Sequence, residues 1–509
     1  MAAVTSPVPR PARRKSMGTE MHQDIRNALL GVALAGGILH AAHAAHLTPQ
    51  TTHVPAEAIA ANYLGPLPPD QHLRLAITLP MHNLPLLQDL LTRLQDRRSP
   101  DYRHYLSVEE FTSRFGPTQA EYRTLLQFAG KNGLTVRATA PNRYVLDVEG
   151  SVATIQKVFG VRLGLYRHPN TSRLFYAPDR EPTLEIATPV LHISGLDNAQ
   201  LPVARSAHRD EGGRTIQANG SGPNGDYTAS DMREAYYGGT ALTGAGQTVG
   251  VIAFAGFNIA DIKQYFSALG QTLKVPVVGI AIDGISLTCT YPQCDDYEQS
   301  IDIEQVIGMA PGLTQVSVYA GSTVIDILNR MATDDSAKSL TSSYGWGPEA
   351  LVEDPVYMEF AAQGQSFVDA SGDMGADLGP GGVWPADDDH VTGVGGTDLA
   401  TNGAGGPWLS ETAWVDSGGG PSPDGIKIRH WQKHFVNAQN MASKTLRNVP
   451  DVAAEANYDS YVCYDAKCNG GNGGTSFAAP RWAGFLALVN QQAALNKEPD
   501  VGFVVNTIY

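Results

Sequence analysis

Residues 73–79 alternate apolar and polar positions, as a half-buried strand does. Over residues 84–94 the apolar spacing changes to three and four, which predicts a helix with one face on a core. Further helix is predicted from Val108 onward, including 121–129, and residues 134–138 and 144–148 read as a strand pair around Pro141-Asn142. A short helix over 152–159 and a last long strand over 161–166 complete a β-α-β-β-α-β order. That order predicts a ferredoxin-like α+β sheet.

Past Asp226 the pattern changes. Strand-like runs at 247–255, 274–280, 315–319, 339–343 and 366–370 alternate with helical runs at 259–269, 298–308 and 324–332. Strands separated by helices are predicted to lie parallel, with the helices on both faces of the sheet. Ligands of such sheets bind beyond the carboxyl ends of the strands. A final apolar run to Asn490 reads as a buried helix.

Between the two patterns lies a segment without apolar period. It holds Arg205, His208, Arg209 and Arg214, then a Gly/Asn/Ser run ending at Gly225, and it offers plausible cleavage points. The chain is therefore divided into a leader (1–45), an N-terminal linker (46–69), an α+β domain (70–200), a cleavable linker (201–225) and an α/β domain (226–509). The leader has Arg13-Arg14-Lys15, then an apolar run over 28–45 with an Ala42-His43-Ala44 exit. That is the shape of a signal peptide, and the run is short for a membrane span. It predicts export to an extracellular or periplasmic space, with no membrane span in the mature chain.

The net charge of −15 is uneven. Before residue 226 there are 23 Lys and Arg against 18 Asp and Glu; from there on there are 13 against 33. A basic half beside an acidic one suggests that the two bind each other, and the acidic half argues against nucleic acid as a partner. Acid is expected to protonate carboxylates at that interface and loosen it. The four cysteines form two local pairs, Cys289/Cys294 and Cys463/Cys468. In an exported chain local disulfides are expected. The alternative is one zinc on four thiolates, although neither pair has the C-x2-C spacing.

Candidate chemistry begins at Gly474-Thr475-Ser476, where glycine precedes a serine at the start of the last helix. Such a serine exposes a hydroxyl and aims backbone N–H groups at developing negative charge, or is simply a helix cap. A serine nucleophile ordinarily takes a histidine as base. The acidic half has only His390, His430 and His434, none in a Gly/Thr/His cluster at a strand end. Carboxylates are better placed. Glu298 and Asp302 stand four apart on one helix face and can share a proton; the plainer reading is an acidic first turn answering the helix dipole. Asp373, between glycines after the 366–370 strand, could donate to an oxyanion if protonated, or be a turn aspartate. Ser343-Tyr344-Gly345 follows another strand and could bind an extended peptide by strand addition.

Together Glu298-x3-Asp302, Ser371-Gly372-Asp373 and Gly474-Thr475-Ser476, in this order, resemble the sedolisin (serine-carboxyl peptidase) family, kumamolisin-like. Supporting stretches are Pro385-Ala386, Val394-Gly395-Gly396-Thr397, Glu411-x2-Trp414, Gly418-Gly419-Gly420 and Val449-Pro450-Asp451. The resemblance implies a subtilisin-like fold behind an activation prodomain, and an acid-active endopeptidase made as a zymogen. It implies Ser476 as nucleophile, Glu298 as base, Asp302 as its partner and Asp373 as oxyanion-hole acid, while the strand-addition reading makes Ser343 and Gly345 the expected substrate-binding residues. The expected partners are protein or peptide substrates and the prodomain as intramolecular inhibitor, in a monomer. Calcium is implied as well, but the expected C-terminal loop of aspartate, carbonyls and glycines has no counterpart before Tyr509; no metal ligand is assigned and a C-terminal truncation is expected. The alternatives are a catalytically impaired, secreted binding protein on this fold and a neutral Ser-His-Asp hydrolase.

Overall fold

The computed structural model describes residues 46–47, 49–208, 219–376, 379 and 382–509. The expected leader and the middle of the expected cleavable linker lie outside the described residues. No helix among the described residues is long and apolar enough to cross a membrane.

The N-terminal half is built on a four-stranded antiparallel sheet. Its order is Thr135–Thr139, Val145–Ser151, His72–Thr78, His192–Ser194. Numbered along the chain this is 2-3-1-4, the split βαβ order that the pattern predicts. Helices Leu84–Gln95, Val108–Phe115 and Gln119–Lys131 bridge its first two strands, and Val152–Phe159 follows the third. The helix ends are set locally. Ser107 with Glu110 and Thr118 with Glu121 form reciprocal capping boxes, and Gly160 at φ 67° stops the short helix after Phe159.

Two expectations change here. The strand near 161–166, found at Leu163–Arg167, does not close this sheet; it pairs with Asn62–Pro66 and Leu174–Pro178 in a separate three-stranded sheet. Alternation identifies a strand but not its partner. The fourth strand is instead His192–Ser194, all buried. The segment before residue 70 also folds with this half: Asn62–Pro66 pairs as above, and His46–Leu47 pairs with Leu184–Glu185.

The C-terminal half is a mostly parallel α/β sheet. The strand order is Val277–Ala281, Gln315–Ala320, Thr248–Ala253, Ser339–Ser342, Ser366–Ala370, Thr392–Thr401, Trp408–Ala413; Val452–Glu455 also pairs with the long Thr392–Thr401 strand. Only Trp408–Ala413 runs antiparallel. Helices Tyr297–Met309 and Thr475–Leu495 pack together beside the central strands, where a side chain at Gly484 would collide with Met309. The Tyr297–Met309 helix is buried along its whole length, so its acids lie in the interior and not on a solvated first turn.

The N-terminal body docks on helices Val324–Asp334 and Ala350–Ala362. Leu87, Leu91 and Phe111 join one apolar cluster with Val356 and Phe360. The Tyr144 hydroxyl donates to Val352 O at 2.7 Å, and Asn142 Nδ2 donates to Asn329 Oδ1 and Glu359 Oε2 at 2.7 and 2.8 Å. Among the described residues only His192–Glu349, at 3.5 Å, is an ion pair between the body and the C-terminal half. Opposite net charge is thus a small part of what holds this surface.

Candidate active site

Ser476 is the second residue of the Thr475–Leu495 helix and is fully buried. Gly474 precedes it at φ 130°, a conformation that favours glycine, and a side chain there would strike Arg205 O and Asp373 Oδ2. Pro480 lies four residues after Ser476 and lacks the N–H that would bond the Ser476 carbonyl. The Ser343 hydroxyl approaches that oxygen at 3.4 Å and also donates to Asp302 Oδ1 at 2.5 Å. The Ser476 hydroxyl in turn donates to Ser343 O at 3.3 Å. Ser343 therefore ties the nucleophile candidate to the carboxylate pair.

Glu298, Asp302 and Asp373 converge on this helix start. Burial pushes Glu298 up to about 8, against the pull of the Ser206 and Ser476 hydroxyls beside it. Ser206 Oγ donates to Glu298 Oε2, whereas the other Glu298 oxygen has no partner among the described residues. Asp302 is raised well above the carboxylate range by burial and then by the negative charge of Glu298. Burial raises Asp373 to about 7, although the Thr475 N–H and hydroxyl both donate to its Oδ1, at 2.7 and 2.8 Å. Three carboxyl groups beside one serine thus hold protons to unusually high pH. Such a group can share a proton with a neighbour or donate one to an oxygen that becomes negative.

The segment 203–208 lies in this cleft as an extended strap. Val203–Ala204 pairs antiparallel with Tyr344–Gly345, and Ala207–His208 pairs antiparallel with Lys467–Gly473 through Gly473 and Asn472. Between the two pairings, the Arg205 N–H donates to Ser343 O at 3.0 Å, and the Ser476 N–H donates to Arg205 O, also at 3.0 Å. The carbonyl of Arg205 therefore sits against the backbone of Ser476, with Asp373 Oδ2 crowding the same point. Ser343 and Gly345 meet the strap through backbone and space. Sequence reasoning placed Arg205 in a cleavable linker but did not single out the Arg205–Ser206 bond, nor the buried Asp369 that faces the arginine. An acid inside the apolar 366–370 run was the available signal.

Cys289 is joined to Cys294 in the loop before the Glu298 helix, and Cys463 of the Ser460–Tyr464 strand to Cys468 of the neighbouring strand that receives Ala207–His208. Between the serine helix and residue 509 the acidic residues are Glu498 and Asp500, and no metal ligand is assigned to them. Elsewhere among the described residues, Asp354/Asp388/His390, Asp147/Asp283/Asp326 and Asp398/Glu455/Asp459 form acidic groupings, none of which includes a residue of this cleft.

Comparison with known proteins places this geometry in context. The pro-kumamolisin activation domain family matches residues 60–199. Kumamolisin of Bacillus sp. (strain MN-32) is 28% identical over 90% of this chain and 86% of its own length. Sedolisin of Pseudomonas sp. (strain 101) is 26% identical over 90% and 82%, and tripeptidyl-peptidase 1 of Rattus norvegicus 25% over 88% and 84%. Among solved structures, Pseudomonas sedolisin complexed with two molecules of pseudo-iodotyrostatin aligns with a TM-score of 0.49 at 26% identity, covering 58% of this chain and 85% of that one. The chain is similar to the sedolisin (serine-carboxyl peptidase) family and is a serine-type peptidase with an activation domain ahead of its catalytic half.

Proposed function

We propose that this chain is the zymogen of an exported, acid-active serine-carboxyl endopeptidase that cuts its own Arg205–Ser206 bond. One observation carries the reading: the Arg205 carbonyl accepts from the Ser476 N–H at 3.0 Å in a strap paired on both sides, as a substrate would be. In the form of the pair where Asp302 keeps the shared proton and Glu298 is ionised, Ser476 Oγ bonds to the Arg205 carbonyl carbon while its proton passes to Glu298. The oxygen, now negative, is held by the Ser476 N–H and by protonated Asp373. Collapse breaks the bond to the Ser206 nitrogen, which takes the proton from Glu298. Water then attacks the Arg205 ester, giving one proton to Glu298, and Ser476 Oγ recovers its hydrogen. Asp302 shares a proton with Glu298 and, through Ser343, fixes its orientation.

Asp373 works here only while protonated, so activity is lost as pH rises through about 7. The prodomain is the intramolecular inhibitor, since its strap fills the cleft. The test is incubation of the purified zymogen at pH 4. The expected product begins at Ser206, and Ser476→Ala stays whole. A wild-type chain that remains uncut and digests no casein would instead be a secreted binding protein on this fold.

A further inference from the structure

We infer that Asp369 and the carbonyls around it form a pocket selective for arginine at the residue before the cut bond. This rests on the peptidase reading above and adds the substrate class. The Arg205 side chain is only 6% exposed. Its Nη1 donates to Ala370 O and, at 3.3 Å, to Val383 O; its Nη2 donates to Trp384 O at 2.8 Å and Gly382 O at 3.4 Å. Asp369 Oδ2 lies 3.7 Å from Nη1. The pocket is thus four backbone acceptors and one carboxylate, and Gly345 leaves the space: a side chain there would collide with the guanidinium.

Asp369 is fully buried, and neither of its oxygens has a hydrogen-bond partner among the described residues. Ser342 and the Ala386 N–H lie beside it and favour its charged form, but burial outweighs them and holds Asp369 well above the usual carboxylate range. Arg205 is the largest influence favouring its charged form, against burial. Among the described residues no cation of the C-terminal half pairs with Asp369, and a buried carboxylate so placed is costly unless the substrate brings one. An apolar side chain would leave the carboxylate and four carbonyls dry and unmatched, a loss that hydrogen-bonding pockets turn into strong selectivity. Lysine has three donors at one point, whereas the planar guanidinium spreads five across the ring of acceptors. Arginine is therefore favoured over lysine, and lysine over leucine.

The experiment uses the processed enzyme at pH 6, which favours the Asp369 carboxylate more than pH 4 does while Asp373 keeps its proton. Quenched fluorescent peptides carry the sequence of residues 203–208 with arginine, lysine, citrulline or leucine at the second residue after Val203. Arginine is expected to exceed leucine and its uncharged isostere citrulline by about 100-fold in kcat/KM. Asp369→Asn is expected to narrow the arginine-to-citrulline ratio to within about tenfold. That ratio is taken within one preparation, so a reduced folded fraction does not alter it. Casein digested while the four peptides are cut at similar rates would overturn the arginine pocket and leave the peptidase reading standing. An unchanged ratio in Asp369→Asn would remove Asp369 from it. No cleavage of casein or of any peptide would remove the peptidase reading itself.

Discussion

The body of the N-terminal half and the strap that follows it meet the catalytic half through different chemistry. The body lays apolar side chains on two helices away from Ser476, with Tyr144 and Asn142 making the polar contacts. The strap is held by backbone pairing, by the Ser476 N–H and by the buried Arg205–Asp369 ion pair. Acid acts on them in opposite directions. Under the body, Asp147 of the sheet faces Asp283 and Asp326; burial raises Asp326 well above its usual value, and the two neighbouring like charges raise it further. Protonation relieves that repulsion and tightens the body. At the strap, protonation of Asp369 removes one charge from the Arg205 pocket and leaves its four backbone acceptors in place. Acid was expected to loosen the whole interface through its opposite net charges; the body's contacts are mainly apolar, with one ion pair among the described residues, so that expectation bears chiefly on the strap. Docking and inhibition are thus separable, and each can be broken alone.

The largest break is at the base. Glu298→Gln keeps the shape of the side chain but cannot accept the serine proton, and should slow processing at pH 4 by at least about 1,000-fold. Asp302→Asn touches the strap only through Ser343 and Glu298, and should cost about 10- to 100-fold. Band-shift rates measure both. A Glu298→Gln chain that processes at the wild-type rate would assign the base elsewhere.

A break in the body should leave the cut bond unchanged. Tyr144 is fully buried, and Tyr144→Ala should weaken docking and the local core by about 3–5 kcal/mol. After cleavage the body should leave the enzyme sooner on size-exclusion chromatography, with Ser206 still the new first residue. A moved cleavage site would mean that the body, and not strand pairing, sets the register of the strap.

Stability against pH sharpens the comparison further. Burial raises Glu298, Glu353, Glu359 and Glu455 to about 8 and Asp373 to about 7. Groups that bind protons more tightly when folded favour the fold below their unfolded values near 4, and that contribution is lost as pH rises toward 8. His53, lowered to about 4 by burial, acts the other way between about 4 and 6.5, and carboxylates held below their usual range, such as Glu149 at about 2, act that way only up to their unfolded values near 4. The uncut Ser476→Ala chain should therefore melt at a higher temperature at pH 4 than at pH 8. A flat or rising profile across that range would show that these carboxyls are solvated in solution.

The sequence made the regular parts of this molecule readable and left its long-range contacts hidden. The strand at Ser366–Ala370 and the helix at Val152–Phe159 were found with their observed bounds, because apolar runs and caps are local signals. The Ala350–Ala362 helix was missed: it is apolar nearly all round and carries Pro355 inside. Thr392–Thr401 was missed as a strand because three of its first five positions are glycine, with little alternation. In the cleft, Ser476, Glu298, Asp302 and Asp373 stand in short motifs. The meeting of Arg205 with Asp369, and of Ser206 with Glu298, exists only after the strap has crossed the sheet.

The smallest expected effect concerns that last contact. Ser206 Oγ donates to Glu298 Oε2, while the Ser476 hydroxyl points to Ser343 O. In the proposed reaction the strap therefore presents the carbonyl to be cut and at the same time occupies Glu298 with its own serine. Ser206→Ala removes one hydrogen bond and lets Glu298 turn to Ser476, so processing at pH 4 should quicken by about threefold, the scale of a single weak hydrogen bond. The body's contacts are untouched, so its release should keep the wild-type rate once the bond is cut. Slower processing in Ser206→Ala would mean that this hydroxyl positions the strap for attack, and does not restrain it.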